Sequence, residues 1–352
     1  MEMFEIVLTA CLANGDICAS RMLPVALETR EACIASAPEL ARNWAAMTGD
    51  LIVKDPGCHD WPGLAAKVPP LDVTEIAPGV FVHRGQHDVP APINAGDLAN
   101  LGFVIGETGV AVIDAGTTRA LAERLYSAIR MRTDLPIDWL LLTHMHPDHS
   151  LGASLFREAG ARIAGHANLT SGLANRAQSY ETALRRLLGD AVFLGTRLVG
   201  PDDGEIPARI DLGGRVLEIA SYPIAHTDND ITVLDRATGT LFAGDLIFAE
   251  HTPALDGSIL GWQQVLSDLA GMDVARVVPG HGPVLEDWPG GADPIRGYLG
   301  ALTDETRAAL SAGEPMSTAI DHLGESQRAG WVLFDEFNKR NATAAYKELE
   351  WE

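Results

Sequence analysis

No apolar run in this sequence approaches the roughly 20 residues that a bilayer-spanning helix requires, and the opening MEMFEIVLTA has no basic segment leading into an apolar one. Membrane insertion is therefore not expected. Basic charge is scarce as well: 26 Lys and Arg stand against 48 Asp and Glu, a formal net charge of −22. Such a surface repels phosphate backbones and anionic membranes, so nucleic acid is not an expected partner. Low-complexity tracts are also missing, and the near-half apolar composition is that of a globular chain with a sizeable core. Cysteine is absent from everything after Cys58. All four, Cys11, Cys18, Cys33 and Cys58, lie in the first sixth of the chain.

An even number of clustered cysteines reads as a disulfide framework made in an oxidising compartment. A zinc cluster is the rival, yet none of the four forms a tight C-x₂₋₄-C pair. Free thiols in a cytoplasmic protein are the remaining alternative. Residues 4–11 (FEIVLTAC) and 18–24 (CASRMLP) are strand-like runs joined by LANGDI, in which Asn14-Gly15 is a strong turn signal. This hairpin sets Cys11 opposite Cys18 and leaves Cys33 to reach Cys58, although four cysteines allow three connectivities. Disulfides imply an exported, periplasmic protein whose leader is not in the given sequence. A helix from about Thr29 to Met47, interrupted at Pro38, and a short strand Leu51–Val53 before Asp55-Pro56-Gly57 complete a small α+β unit, residues 1–60. The Pro- and Gly-rich stretch 61–72 reads as a linker.

From Val73 the pattern changes. VFVH (80–83), LGFVIG (101–106) and VAVID (110–114) are strands; Leu121, Leu125, Ala128 and Ile129 make one apolar helix face feeding the strand Ile137–Thr143. A second half follows, with strands at 215–221, 231–235, 240–243 and 275–279 and a helix near 260–269. The tail beyond Asp293 reads as helical, with Trp331, Phe334 and Phe337 as an apolar stripe. It is expected to pack on the preceding unit as an extension, residues 291–352.

The strand 137–143 ends in Thr143-His144-Met145-His146-Pro147-Asp148-His149. Residues two apart in an extended segment point the same way, so His144 and His146 can grip one ion. Asp148 and His149, past the turn at Pro147, suit a second. An isolated surface His is usually a solvated or hydrogen-bonded side chain, which is the expectation for His59, His83, His87 and His322. Three imidazoles and a carboxylate within six residues would instead be a costly cluster without a cation. His226 and His281 each follow a strand, and Asp245 ends one in FAGD. Five His and two Asp are enough to give two ions three private ligands each and one shared carboxylate.

The order T-H-x-H-x-D-H, His, G-D and G-H-G resembles that of the metallo-β-lactamase superfamily over residues 73 to about 285. The resemblance implies a four-layer αββα fold over residues 73–290, hence an α+β chain with a small α+β domain in front. It implies that His144, His146 and His226 hold one metal, Asp148, His149 and His281 a second, and that Asp245 bridges them. Asp114, in VIDAG, matches the carboxylate that steadies the ligand loop, against the alternative of an ordinary helix-start carboxylate. Two divalent ions are expected, with zinc favoured by the donors and iron or manganese left open. Such a pair shares a hydroxide and polarises a carbonyl, with Asp148 orienting the hydroxide and passing a proton. Asn229 is a candidate oxyanion donor or a turn cap; His251 and Trp262 are candidates to line the pocket, Trp262 more often a helix anchor.

Where dedicated lactamases usually carry Cys or Ser, this chain has Asp245, which resembles the glyoxalase II and lactonase branches. An ester, thioester, lactone or amide bond in a small molecule is the expected target. Only weak β-lactam hydrolysis is expected, since no basic residue stands near His226 or Asp245 in sequence to bind the drug's carboxylate. GTLFAGDLIF, LDGSILGWQQVL and the Cys-bearing unit are similar to zinc metallohydrolases associated with periplasmic quinoprotein systems, relatives of the SoxH-type proteins. The N-terminal unit would then be free to dock a protein partner. A metal-containing relay protein without catalysis is the competing class of function.

Overall fold

The computed structural model describes residues 3–49, 51–202 and 206–352. Strands β1 (Phe4–Leu12), β2 (Cys18–Leu27) and β3 (Leu51–Asp60) form an antiparallel sheet in the order β2-β1-β3, with helix α1 (Arg30–Thr48) between β2 and β3 in sequence. Thr29 caps α1 by accepting from the Ala32 amide at 3.1 Å. Cys33, Ala37, Ala41 and Trp44 recur on one face of α1 and pack on Ile6, Leu8 and Ala10 of the sheet. The hairpin register pairs Cys11 with Cys18, and both disulfides, Cys11–Cys18 and Cys33–Cys58, are formed.

Three local expectations change here. The helix is continuous through Pro38, because the buried face on either side holds it to the sheet despite one lost hydrogen bond. β3 does not stop at Val53: it runs to Asp60 across a bulge, with Thr9 opposite Lys54 and Val7 opposite Gly57. Asp55, at φ 52°, and Pro56 sit in that irregularity. In the stretch 61–72, residues Trp61–Lys67 form helix α2, capped by Asp60 on the Gly63 amide at 2.8 Å, and Leu64 is wholly buried.

The remainder is a sandwich of two sheets. β4 (Thr74–Ala77), β5 (Val80–His83), β6 (Leu101–Ile105), β7 (Val110–Ile113), β8 (Ile137–Leu141) and β9 (Arg162–Ala164) follow one another in a six-stranded sheet. Helices α3 (Arg119–Arg130), α4 (Pro147–Ser150) and α5 (Ala153–Glu158) belong to this half; α6 (Leu169–Leu188) and α7 (Asp190–Phe193) lead out of it. β10 (Arg209–Asp211), β11 (Val216–Ser221), β12 (Ile231–Asp235), β13 (Thr240–Phe248) and β14 (Arg276–His281) make the second sheet, with α8 (Ile259–Ala270) between its last two strands. The chain closes with α9 (Asp293–Ser311), α10 (Met316–Ala319) and α11 (Phe334–Leu349).

The apolar residues partition accordingly. Val80, Val104, Ile113, Leu217, Val233 and Val278 meet between the sheets. Leu121, Leu125 and Phe156 cover the outside of the first sheet, and Trp262, Leu266, Leu299 and Ala345 cover the outside of the second. The layers are therefore αββα.

Three more differences bear on function. β13 does not end at Asp245 but continues to Phe248, with its pairing to β14 shifted at Gly244, where φ is +52°. Trp331 is outside α11: its backbone is extended, and the neighbouring Val332 bridges His251. The helix α6 carries Leu169, Leu173, Leu184 and Leu188 on its buried face, a helical spacing not read from the sequence.

Candidate metal centre

The parallel strands β7 and β8, and β13 and β14, deliver their C-terminal ends to one edge of the sandwich. His144 and His146 follow β8, and α4 carries Asp148 and His149. His226 lies in the turn before β12, Asp245 within β13 and His281 at the end of β14. Seven side chains separated by up to 137 positions thus converge on two groups. In one, ligand atoms of His144, His146, His226 and Asp245 lie within 4.8 Å of one another; in the other, those of Asp148, His149 and His281 do the same.

Asp245 stands between the groups with one oxygen toward each. Its Oδ2 is 3.6 Å from His144 Nε2 and 3.4 Å from His226 Nε2, while Oδ1 is 3.2 Å from His149 Nε2 and 3.5 Å from His281 Nε2. Asp148 Oδ2 is 3.3 Å from His281 Nε2 and 3.8 Å from His149 Nε2. Gly280 permits this approach, since a Cβ there would fall 1.8 Å from Asp245 Oδ1.

Four of the five imidazoles have one nitrogen occupied elsewhere, which selects the nitrogen turned inward; the buried His226 Nδ1 has no hydrogen-bond partner among the described residues. His144 Nδ1 is 3.0 Å from Thr143 Oγ1, whose hydroxyl donates to Asp114 Oδ2 at 2.8 Å. His149 Nδ1 meets the same Asp114 oxygen at 2.7 Å. His281 Nδ1 reaches the Leu98 carbonyl at 3.1 Å, and His146 Nε2 reaches Asp256 Oδ2 at 3.1 Å. The nitrogens left over point together: His146 Nδ1 and His226 Nε2 are 3.0 Å apart.

Buried His144 Nε2, His149 Nε2 and Asp245 Oδ1 have no hydrogen-bond partner among the described residues. Orphans of this kind, aimed at one another, are what a cation satisfies. Burial holds His144 well below the ordinary imidazole range and His226 down to about 3, so both are neutral donors. Burial would lower His281 too, but Asp245 and Asp148 push it up to about 9. The same carboxylates would favour a cation there.

Asp114 has φ +62°, a conformation that non-glycine residues rarely adopt, and it also accepts from the Thr143 amide at 2.8 Å. It spans β7, the ligand loop and His149, a placement that fits a steadying carboxylate better than a helix start. Asp256 plays the matching part for His146 but went unread, because its partner is 110 residues away and no motif marks it. Asp114→Asn and Asp256→Asn are each expected to weaken metal affinity about 10- to 100-fold, the usual effect of losing a carboxylate behind a ligating His. Competition with a chromogenic chelator measures it; wild-type affinity in both would contradict the assignment.

A cavity of about 390 Å³ opens onto these groups. His146, Asp148, Asp245 and His281 form its floor, and Phe248, His251 and Phe337 form an aromatic wall. His251 lies with its ring 4.8 Å from that of His281. Trp262 does not line the cavity; it is fully buried and donates to the Leu246 carbonyl at 3.0 Å, an anchor. Asn229 is also buried away from it, with Nδ2 on Asp228 Oδ1 at 2.7 Å. His83 is hydrogen-bonded to Asp97 at 2.7 Å and His322 to Glu314 at 2.9 Å, ordinary fates for isolated imidazoles.

No basic residue is near His226 or Asp245 along the chain, but Arg176 from α6 and Arg340 from α11 both line the cavity. The expectation of weak β-lactam hydrolysis loses that support.

A family described as the metallo-beta-lactamase superfamily matches residues 95–281, just over half of the chain. A hydroxyacylglutathione hydrolase from Acidiphilium cryptum is 28% identical over 242 residues, 66% of this chain and 84% of that protein. A beta-lactamase-like protein 2 homolog from Caenorhabditis elegans is 23% identical over 154 residues, 44% of this chain. The match spans only 45% of that relative's length. Among solved structures, a metallo-beta-lactamase family protein from Thermus thermophilus aligns over 79% of this chain and 94% of its own, with a TM-score of 0.57 and 20% identity.

Proposed function

Because this chain belongs to the metallo-beta-lactamase superfamily, we propose that it is a binuclear metal-dependent hydrolase cleaving an ester, thioester, lactone or amide bond of a small molecule. The observation that carries this reading is the split of Asp245, each carboxylate oxygen facing its own set of imidazoles. His144, His146 and His226 would hold one ion, Asp148, His149 and His281 the other, and Asp245 both. Zinc is the metal best suited to neutral imidazoles with carboxylates. Bound there, two divalent ions lower the pKa of water and polarise the carbonyl under attack.

The protein's own contributions follow from the geometry. Asp148 is ionised: burial would raise its carboxyl, but His149 and His281 hold it well below the usual carboxylate range. It lies on the cavity floor, placed to accept a hydrogen bond from the attacking water and to carry a proton to the leaving group. Phe248, His251 and Phe337 exclude solvent from one side. No Ser or Cys nucleophile is required. The two disulfides favour an oxidising compartment, and the periplasm of a quinoprotein-using cell is the finer proposal, supported by the strings GTLFAGDLIF and LDGSILGWQQVL.

Elemental analysis of gently purified protein is expected to give two divalent ions per chain, and metal-loaded protein to hydrolyse at least one member of a panel of lactams, lactones, esters and thioesters. One ion with no second taken up on titration removes the binuclear centre; no hydrolysis across the panel removes the enzyme.

A further inference from the structure

We propose that Arg340 binds a carboxylate on the substrate, so that this hydrolase selects singly anionic substrates through its C-terminal helix. The proposal rests on the hydrolase reading for the position of the scissile bond, and on the cavity alone for the anion.

Arginines in this acidic chain are mostly paired. Arg84 meets Glu250 at 2.7 Å, and Arg176, across the cavity mouth, meets Asp256 at 3.0 Å. Arg340 lines the same cavity, is exposed, and has no ion pair or side-chain hydrogen bond among the described residues. In a chain of net charge −22, an unpaired guanidinium inside a pocket of acidic residues is the exception that calls for a partner. The guanidinium presents a planar fork that fits a carboxylate bidentately.

The helix that presents it is fixed. Asn341 donates to the Pro253 carbonyl at 2.6 Å and accepts from the Leu255 amide at 2.9 Å, so α11 is tied to the loop that carries Asp256. Phe337, one turn earlier on the same helix, also lines the cavity, its ring 4.9 Å from that of His251. Tyr180 from α6 lines the opposite side. The charge count selects a monoanion: Arg176 is already balanced by Asp256, and Asp88 on the rim opposes a second negative charge. A cavity of about 390 Å³ admits a small molecule with its reacting carbonyl on the floor and its carboxylate at the mouth.

The test uses the metal-loaded enzyme and two inert thioethers, 5-(phenylthio)pentanoate and its carboxamide, in titration calorimetry. The carboxylate is expected to bind about tenfold tighter than the amide, a modest value for a charge-assisted contact at an exposed site. Arg340→Ala and Arg340→Gln should bring that ratio close to one, and Arg340→Lys should keep part of it. In parallel, the ratio of kcat/KM for a glutarate monothioester to that for its methyl ester should fall about tenfold in Arg340→Ala, through KM. No preference in the wild type, or a preference that survives Arg340→Ala because the anion sits on the metals, overturns the proposal. An Arg340-dependent preference in a protein that hydrolyses none of the panel would uphold the anion site and sink the hydrolase reading.

Discussion

His226→Ala and Asp148→Asn are each expected to lower hydrolytic turnover on the order of a thousandfold, about 4 kcal/mol of barrier, with far-UV circular dichroism almost unchanged. Both side chains stand beyond strand ends, His226 in the turn before β12 and Asp148 on the four-residue helix α4, so neither carries a layer of the sandwich. Their chemistry differs. His226 faces the Oδ2 side of Asp245, and its loss removes one of the four side chains of that candidate ligand group. Asp148 faces the other group, and the amide keeps its shape while removing the negative charge beside His281. Metal counting should therefore show a deficit in His226→Ala. Turnover near the wild-type value in both variants would place the chemistry elsewhere.

Arg119→Met is expected to destabilise the fold by about 3–5 kcal/mol, the cost of leaving buried carboxylates without their cation. Arg119 is wholly buried at the seam between the Cys-bearing unit and the sandwich. Its guanidinium donates to Glu123 at 3.0 Å, to Glu158 at 2.9 and 2.7 Å and to the Met22 carbonyl at 2.7 Å, beneath the Trp44 ring. Burial alone would lower its pKa, yet Glu158 and Glu123 hold it above the ordinary value, so the cation is secure. Glu123 in turn accepts from the Met22 amide at 3.0 Å, which joins β2 to α3. Arg21 adds donations to the Leu194 and Ala191 carbonyls at 2.6 and 2.8 Å. Urea unfolding of the oxidised protein measures the loss. A change under about 1 kcal/mol would mean that water relieves the carboxylates, as at exposed pairs.

The cluster of candidate ligands was legible because three imidazoles and a carboxylate crowd six positions after a buried strand, and such a cluster has few structural explanations. The hairpin was legible for a similar reason: Asn14-Gly15 fixes the register that faces Cys11 with Cys18. Pro38 and Pro56 misled for different reasons: a face buried on both sides of Pro38 holds α1 together, and β3 is an edge strand that carries Pro56 in a bulge. The cavity wall was not legible. Arg176, Tyr180, Asp256, Phe337 and Arg340 come from three separate segments, and none has a partner within reach along the chain. The leucine spacing of α6 was there to be read and would have supplied the helix that carries two of them.

The tie between Asn341 and the loop at Pro253 and Leu255 has a consequence for how the molecule comes into being. Every residue of the proposed ligand set precedes α8 or ends β14, whereas the wall that would select a substrate is supplied by residues 337 and 340. Glu348, in the last turn of α11, also accepts from the Ser258 hydroxyl and the Ile259 amide at the start of α8, at 2.6 and 2.7 Å. During synthesis from the N-terminus, the proposed ligand set would therefore be complete before the pocket is. A nascent or clipped chain lacking α11 would present the floor of the cavity to whatever diffuses past, and the proposed discrimination would arrive only with α11.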